Sequence, residues 1–150
     1  MAAMTMEIKV NAPDCAADLA SLDAACFSSS DAISAKEWKK LLLRTQNVIV
    51  YVHDDSDLMG AAVGTWAAGV GYLYSNAVMP RFRRQGLGLE MIEARINILR
   101  SNGCARVHAH TRVENRISRD LLKRVGFKAI QYVPDHYGDF EDGVLWEAIL

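Results

Sequence analysis

A glycine-rich turn is the first feature of the sequence with the residue types for chemistry. Segment 83–88 reads Arg-Arg-Gln-Gly-Leu-Gly and stands between an apolar run and a segment with helical apolar spacing. The first N–H groups of a helix have no partner within it and carry a partial positive charge, which favours an anion there. Gly86 and Gly88 would let a phosphate approach the backbone. The turn lacks the third glycine of a dinucleotide fingerprint and the Lys-Ser/Thr of a P-loop, so taken alone it also fits a plain tight turn.

Two histidines stand two residues apart in a run typical of a β-strand. His108 and His110 lie in segment 105–112, where alternation places both side chains on one face. Imidazole has a pKa of about 6.5 and is a suitable general base near pH 7. Either residue could instead be an ordinary sheet histidine. His53 and His136 are weaker candidates. No spacing of histidines and carboxylates indicates a metal site, so we expect no metal.

The elements that position these residues follow from apolar periodicity and capping signals. Strands are predicted over residues 6–10, 47–53, 59–66, 71–78, 105–112, 127–133 and 144–150. Helices are predicted from a cap at Asp14 to residue 25, from a capping box of Ser34 and Glu37 to residue 43, and over 86–101 and 115–125. We therefore predict one α/β domain over residues 1–150, with a mixed, mostly antiparallel sheet of about seven strands flanked by about four helices.

The charge distribution points to an anionic partner. The chain has 150 residues and a net charge of −1, yet residues 81–128 hold 12 of its 17 basic and 4 of its 18 acidic residues. Such a stretch attracts a nucleic acid or a phosphorylated cofactor, unless its charges simply face solvent. A nucleic-acid module would interleave aromatic residues for stacking, and Phe82 is the only one within 81–126. We therefore expect no nucleic-acid partner.

The remaining composition indicates a soluble cytoplasmic protein. With 51% hydrophobic and 23% charged residues, the chain is neither disordered nor fibrous. No apolar run approaches the roughly 18 residues of a membrane span, and no signal peptide is evident, so we expect no membrane partner. Three widely spaced cysteines argue against a disulfide framework and fit a reducing cytoplasm.

Several linked motifs resemble the GNAT superfamily of N-acetyltransferases. Segment 78–88 reads Val-x-Pro-x-x-Arg-x-x-Gly-x-Gly and is similar to that family's acetyl-CoA pyrophosphate motif. Segment 115–121 reads Asn-x-x-Ser-x-x-Leu, and Gly-Phe at 126–127 follows at the spacing that the family shows. Segment 136–146 is similar to the Tyr-Tyr…Glu-Asp tail of protein N-terminal acetyltransferases. The resemblance covers essentially the whole chain, most specifically residues 71–146.

The resemblance implies acetyl-CoA (coenzyme A) as cofactor and places its contacts residue by residue. The matching positions are the strand end, the pyrophosphate loop and an asparagine for the pantetheine arm: Asn76, Ala77, Val78, Arg83, Arg84, Gln85, Gly86, Leu87, Gly88, Leu89 and Asn115. Asparagine also suits a plain helix N-cap, and Asn115 could serve both roles. The phosphates of coenzyme A would account for the basic stretch.

The resemblance also implies catalytic residues. His110 falls where related enzymes carry a Glu or His base. The family often has a tyrosine acid in the helix before Gly-Phe, whereas this chain has Leu122. A thiol with a pKa of about 8.5 leaves with modest help, and Tyr137 or Tyr74 could supply the proton instead.

The implied function is transfer of an acetyl group to a primary amine by direct attack. The tail favours a protein N-terminal α-amine, whose pKa of about 7.7–8.0 demands less of a base than lysine. Two alternatives remain: a small amine such as a polyamine or aminoglycoside, and a CoA-binding or regulatory module with weak or no catalysis. Phe27 and Trp38 lie where the family's first helices border the acceptor cleft, although such a Trp is also typical of a core. The sequence leaves a homodimer open.

Overall fold

The computed structural model describes residues 4–29, 31–55, 57–74, 76–138 and 141–150, and they form four α-helices and eight β-strands. The helices are α1 (Ala16–Cys26), α2 (Ala35–Arg44), α3 (Leu87–Ser101) and α4 (Arg116–Arg124). The strands are β1 (Met4–Val10), β2 (Gln46–Asp54), β3 (Asp57–Ala67), β4 (Val70–Leu73), β5 (Ala77–Val78), β6 (Arg106–Arg112), β7 (Lys128–Val133) and β8 (Gly143–Ile149). Short 3-10 helices, Pro13–Cys15 and Pro80–Phe82, precede α1 and α3. Within these residues, no helix is both long and apolar enough to cross a membrane.

All the strands belong to one mixed sheet. Its order is β1-β2-β3-β4-β6-β8-β7, and β5 pairs with β3 beyond the end of β4. Every pairing is antiparallel except that of β4 with β6, which is parallel. The parallel pair needs a crossover, which α3 provides. The predicted mixed, mostly antiparallel sheet with four helices is confirmed.

Helices cover both faces of the sheet. In β2, Val48, Val50 and Val52 pack with α3, while Ile49 and Tyr51 pack with α1 and α2 on the opposite face. All five are buried, which explains why β2 is an uninterrupted apolar run rather than an alternating one. The sheet is therefore a middle layer that side chains from either face can reach.

The local signals for two helices have different outcomes. The predicted cap at Ser34 is confirmed, because the Glu37 N–H donates to Ser34 Oγ at 3.2 Å, while the Glu37 carboxylate accepts from Ser34 Oγ rather than from the backbone N–H of a full capping box. The predicted cap at Asp14 is wrong: Asp14 lies inside the 3-10 helix, and α1 begins at Ala16 without a side-chain cap.

The predicted strand 71–78 is split in two, and this split is the main departure from the expected fold. β4 ends at Leu73 and β5 covers Ala77–Val78, which gives eight strands instead of about seven. β6 pairs with β4 only up to Ala109, opposite Leu73, and then continues to Arg112 beside β8 alone. A gap therefore opens in the sheet between β5 and the second half of β6.

Candidate active site

A cavity of about 410 Å³ lies at the gap in the sheet. Residues of α3 and α4 line one side of it: Ile92, Arg95, Ser118, Leu121 and Leu122, with Asn115 just before α4. Residues of the opposite face line the other side: Phe27, Asp31, Ile33, Tyr72, Tyr74, His110, Arg112, His136 and Tyr137. The cavity thus connects the two faces of the sheet, so two molecules entering from opposite faces would meet within it.

The N-terminus of α3 offers an anion site near one end of this gap. Gly86 is the N-cap, and the Glu90 N–H makes the first helical bond, to the Gly86 carbonyl. The N–H groups of residues 87–89 therefore have no acceptor within the helix, and no side chain caps them. Exposed Arg83, Arg84 and Gln85 precede this helix end. A phosphate group would find both backbone donors and cations there.

The two glycines of the loop meet different surroundings. Gly86 has φ of +80°, and a Cβ there would meet no described atom within 4 Å. This open space beside the helix end is suited to a bound group. A Cβ on Gly88 would lie 3.1 Å from Leu121 Cδ2 and 3.3 Å from Asn76 Nδ2. Gly88 therefore permits close packing of α3 against α4 and β5.

The edge of β5 presents a backbone donor to the gap. The Met79 N–H donates to the Met59 carbonyl at 2.9 Å, and Val78 lies opposite Gly60 in the same ladder. Because hydrogen-bonded and non-hydrogen-bonded pairs alternate in an antiparallel ladder, the Val78 N–H points away from β3. The Val78 carbonyl also points away and accepts a hydrogen bond from Arg83 Nε at 2.9 Å, while Ala77 is buried in the ladder.

The two asparagines of the predicted cofactor set are both engaged within the protein. Asn115 caps α4, because its Oδ1 accepts from the Ser118 N–H at 3.1 Å, and it also lines the cavity. This cap uses only the Oδ1 atom of Asn115, so its Nδ2 group is not needed for the helix. Asn76 Nδ2 donates to the Gly88 carbonyl at 3.2 Å and so ties the strand end to the first turn of α3.

A tyrosine of β4 and a histidine of β6 form a hydrogen bond near the point where these two parallel strands part. The Tyr72 hydroxyl lies 2.7 Å from His110 Nδ1. Tyr72 pairs with His108 in the β4–β6 ladder, and His110 is two residues further along β6 on the same face. His108 itself binds Glu147 Oε2 through Nε2 at 2.8 Å. Of the two strand histidines, His110 is therefore the one that reaches the cavity.

The ionisation of this pair suits it to accept a proton. Burial lowers the pKa of His110, and the neighbouring His136 and His108 lower it further, so the imidazole is neutral at pH 7. Burial raises the pKa of Tyr72 above its usual range, with Tyr137 and Tyr74 adding to the effect. The phenol therefore keeps its proton and can donate it to His110 Nδ1.

The mouth of the cavity is formed by a charged and aromatic cluster. The His136 ring stacks on His110 with centroids 4.1 Å apart, and Tyr137 meets His136 edge-on. Arg112 pairs with Asp31 at 2.6 Å and with Glu141, and its guanidinium lies 4.4 Å from the centre of the Tyr137 ring. Arg112 thus links the α1–α2 connection to the β7–β8 connection over the cavity.

The predicted catalytic residues reach the same cavity from different directions. Tyr74 packs edge-on against Trp38 and Tyr72, and burial raises its pKa. Tyr137 lines the mouth, where burial also raises its pKa. Trp38 is 3% exposed in the core, whereas Phe27 lines the cavity. His53 lies apart from the site, near Glu7 on β1.

Sequence reasoning missed three cavity residues: Tyr72, Arg95 and Arg112. Tyr72 stands two residues before Tyr74 in the same run, so its alternation with Tyr74 was the available signal. No local pattern marks Arg95 or Arg112, because the bonds of each join elements distant in the sequence. Among the described residues, no cluster of three or more His, Cys, Asp or Glu has the geometry to hold a metal ion.

The described residues thus form an α/β fold whose sheet opens between β5 and β6, with the open N-terminus of α3 near the opening. The sequence model of the Acetyltransferase (GNAT) family matches residues 16–127. The chain therefore belongs to the GNAT family of acetyltransferases.

The individual relatives match only part of the chain or have low sequence identity to it. An N-alpha-acetyltransferase of Sulfurisphaera tokodaii is 31% identical over 81 residues, which is 53% of this chain and 48% of the relative. The match thus spans about half of the curated relative. The ribosomal-protein-S18-alanine N-acetyltransferase of Escherichia coli has the same fold, with a TM-score of 0.83 at 19% identity over 97% of this chain and 94% of that one. A Salmonella typhimurium protein, described as an acetyltransferase and solved with its cofactor acetyl-CoA, has a TM-score of 0.76 at 16% identity over 97% and 94%.

Proposed function

We propose that the protein is an acetyl-CoA-dependent N-acetyltransferase that acetylates protein N-terminal α-amines by direct attack. The observation that carries the proposal is the cavity through the sheet gap. It is lined by the Tyr72–His110 pair, which suits an amine, and by Asn76, which binds the Gly88 carbonyl in the first turn of α3, whose open N-terminus suits a pyrophosphate.

The residues on the α3–α4 side fit acetyl-CoA. The N–H groups of residues 87–89, the open space at Gly86 and the adjoining arginines would hold the pyrophosphate. Asn115 Nδ2 would bind the pantetheine arm. When bound, acetyl-CoA supplies an activated thioester. The Val78 N–H, turned away from β3, would then donate to the carbonyl oxygen on which negative charge develops.

The amine would enter from the face that carries Tyr72, His110 and His136. A protonated amine cannot attack, so the site must hold a proton acceptor. The Tyr72 hydroxyl would take the proton from the amine nitrogen and pass its own to His110 Nδ1, 2.7 Å away. His110 is free to accept because burial and its histidine neighbours lower its pKa.

The base favours an α-amine over the lysine ε-amine. The pKa of a peptide α-amine is about 7.7–8.0, against about 10.4 for lysine. A histidine with a lowered pKa is a weak base. Removing a proton from lysine costs it more free energy than removing one from an α-amine, by an amount that corresponds to the difference between the two pKa values. The name of the Sulfurisphaera tokodaii relative, an N-alpha-acetyltransferase, supports the same acceptor.

An acceptor screen read by release of free thiol from acetyl-CoA tests the proposal. The matched pair is one peptide with a free N-terminus and no lysine, and the same peptide with a blocked N-terminus and one internal lysine. We expect turnover of the first and little of the second. Faster release with the lysine peptide, a polyamine or an aminoglycoside would reassign the acceptor.

Cofactor binding needs a separate measurement. Acetyl-CoA that binds the native state must raise the melting temperature. No shift at millimolar acetyl-CoA would overturn the proposed function, whereas a shift without turnover of any amine would leave a CoA-binding module. Cytoplasmic location, homodimer formation and the absence of a nucleic-acid partner stay predictions.

A further inference from the structure

A buried arginine lies beneath the gap between β5 and β6. Arg95 on α3 is 1% exposed and makes four hydrogen bonds. Its Nε donates to the Met91 carbonyl at 3.1 Å, its Nη1 to the Val63 and Tyr74 carbonyls at 3.0 and 2.8 Å, and its Nη2 to Asn76 Oδ1. A guanidinium has five N–H groups, so one on Nη2 has no partner in the described part of the chain.

The backbone at the gap explains why a long donor is needed there. Tyr74 still donates to Val63 of β3, but the pairing resumes at Ala77 opposite Ala61, a shift of one residue. Such a shift interrupts the regular ladder, and Arg95 supplies donors to the carbonyls beside it. A Cβ on Gly64 would lie 3.6 Å from Arg95 Cδ, an ordinary van der Waals contact, so the side chain passes directly over β3.

These hydrogen bonds do not explain why a positively charged side chain is buried at this position. No described Asp or Glu forms an ion pair with Arg95. Burial lowers its pKa to about 9, so it is still cationic at neutral pH. A buried cation without an acid is costly. The other arginine lining the cavity, Arg112, is already paired with Asp31 and Glu141.

The proposed reaction creates a negative charge in the same cavity. The amine nitrogen bonds to the thioester carbon, the C–S bond breaks, and its electron pair stays on sulfur. The amine proton goes to the Tyr72–His110 pair, and the thiolate takes a proton from solvent after release. Leu122, which lines the cavity from α4, has no proton to give.

We propose that Arg95, held in place by its hydrogen bonds to Tyr74 and Asn76, stabilises through its positive charge the thiolate that leaves the thioester. The inference rests on the proposed function. A fixed charge acts strongly on a developing charge in a cavity of low dielectric, and it needs no reorganisation during the reaction. Leu122 cannot donate a proton to the leaving sulfur, and the positive charge of Arg95 would stabilise that sulfur instead.

The test is the ionisation of the thiol of CoA bound to the protein. The absorbance of the thiolate is followed against pH, with desulfo-CoA, which lacks the sulfur, as the blank. In the unmodified protein we expect the pKa of the bound thiol to lie below that of free CoA. Arg95→Gln, which keeps polarity but not charge, should bring it back to the free value, and Arg95→Lys should keep it low.

Kinetics give a second readout with a matched control. Loss of one charge-assisted interaction predicts a kcat lower by about 10- to 100-fold in Arg95→Gln. Arg100→Gln removes the same charge from an exposed position of α3 and should leave both kcat and the thiol pKa unchanged. Asn76→Asp places a carboxylate against the guanidinium and should raise the thiol pKa even if Arg95→Gln fails to fold.

The two proposals fail separately. If acetyl-CoA does not stabilise the unmodified protein, the proposed function is overturned. If it does, but the bound thiol has the pKa of free CoA, the role of Arg95 is overturned. An equally low thiol pKa in Arg95→Gln, or in Asn76→Asp, would also overturn it and leave the arginine as a backbone support only.

Discussion

The Tyr72 hydroxyl lies 2.7 Å from His110 Nδ1, although 38 residues separate the two in the sequence. The parallel pairing of β4 with β6 brings them together at the point where the strands part. Their bond therefore lies at the edge of the cavity, where a proton acceptor is useful.

Replacing His110 removes the proton acceptor. His110→Ala should lower kcat by roughly 10²–10⁴-fold, the usual range for a positioned general base, with little change in acetyl-CoA affinity. The deficit should shrink at high pH, where α-amines are already neutral. Steady-state rates from acid to alkaline pH check this. An unchanged pH–rate profile in a folded variant would contradict it and make Tyr74 and Tyr137 the next residues to test.

Replacing Tyr72 interrupts the path to His110. Tyr72→Phe keeps the ring and its packing against Tyr74 but loses the hydroxyl, so it should lower kcat about as much as His110→Ala. Groups that act as one unit are not additive, so the double variant should be no slower than either single one. Additive losses in the double-mutant cycle would show that the two residues act independently.

The sequence predicts the fold well except where the site is. The apolar runs and capping signals place four helices and most strands to within a few residues, because local periodicity determines them. The run 71–78 holds two polar residues, Ser75 and Asn76, but no Gly or Pro after Gly71, and it is therefore predicted as one strand. Ser75 and Asn76 are the one local sign of its interruption after Leu73, and the partners there, β6 and Arg95, are distant in sequence.

The site residues divide in the same way. Gly86 and Asn115 are predicted by motifs within one loop or cap, and the structure places them at helix N-termini. His110 is predicted by its place on the strand before Asn115. Tyr72 shares a strand face with Tyr74, which the sequence could have indicated, whereas the pairing of Arg112 with Asp31 joins distant elements and has no local signal.

The ring of His136 should tune the base. Burial is the main cause of the lowered pKa of His110, and electrostatic repulsion by His136 is the next. His136→Phe keeps a stacked ring and removes this repulsion, so the pKa of His110 should rise. His110 is then protonated at a higher pH as the solution is acidified. The acid limb of the pH–rate profile should therefore shift to higher pH.

The effect of His136→Phe should be confined to acid solution. Near pH 8 the rate should match that of the unmodified protein, since His110 is neutral in both. His53→Phe is the control, because it removes a histidine paired with Glu7 on β1, away from the cavity. A shift of the acid limb in the control, or none in His136→Phe, would contradict the coupling.

Gly86 and Gly103 form a matched pair for testing the phosphate loop. Both have a positive φ, +80° and +82°, and a Cβ on either would meet no atom of the described residues within 4 Å. Valine at either site should therefore cost a similar backbone strain, of about 1–2 kcal/mol. Gly86 caps the N-terminus of α3, and Gly103 follows its C-terminus.

Gly86→Val should abolish acetyl-CoA binding while leaving the fold largely intact, and Gly103→Val should lower the melting temperature comparably but bind normally. Calorimetric titration with acetyl-CoA distinguishes the two variants. If Gly86→Val binds acetyl-CoA as tightly as the unmodified protein does, the pyrophosphate does not bind at this loop.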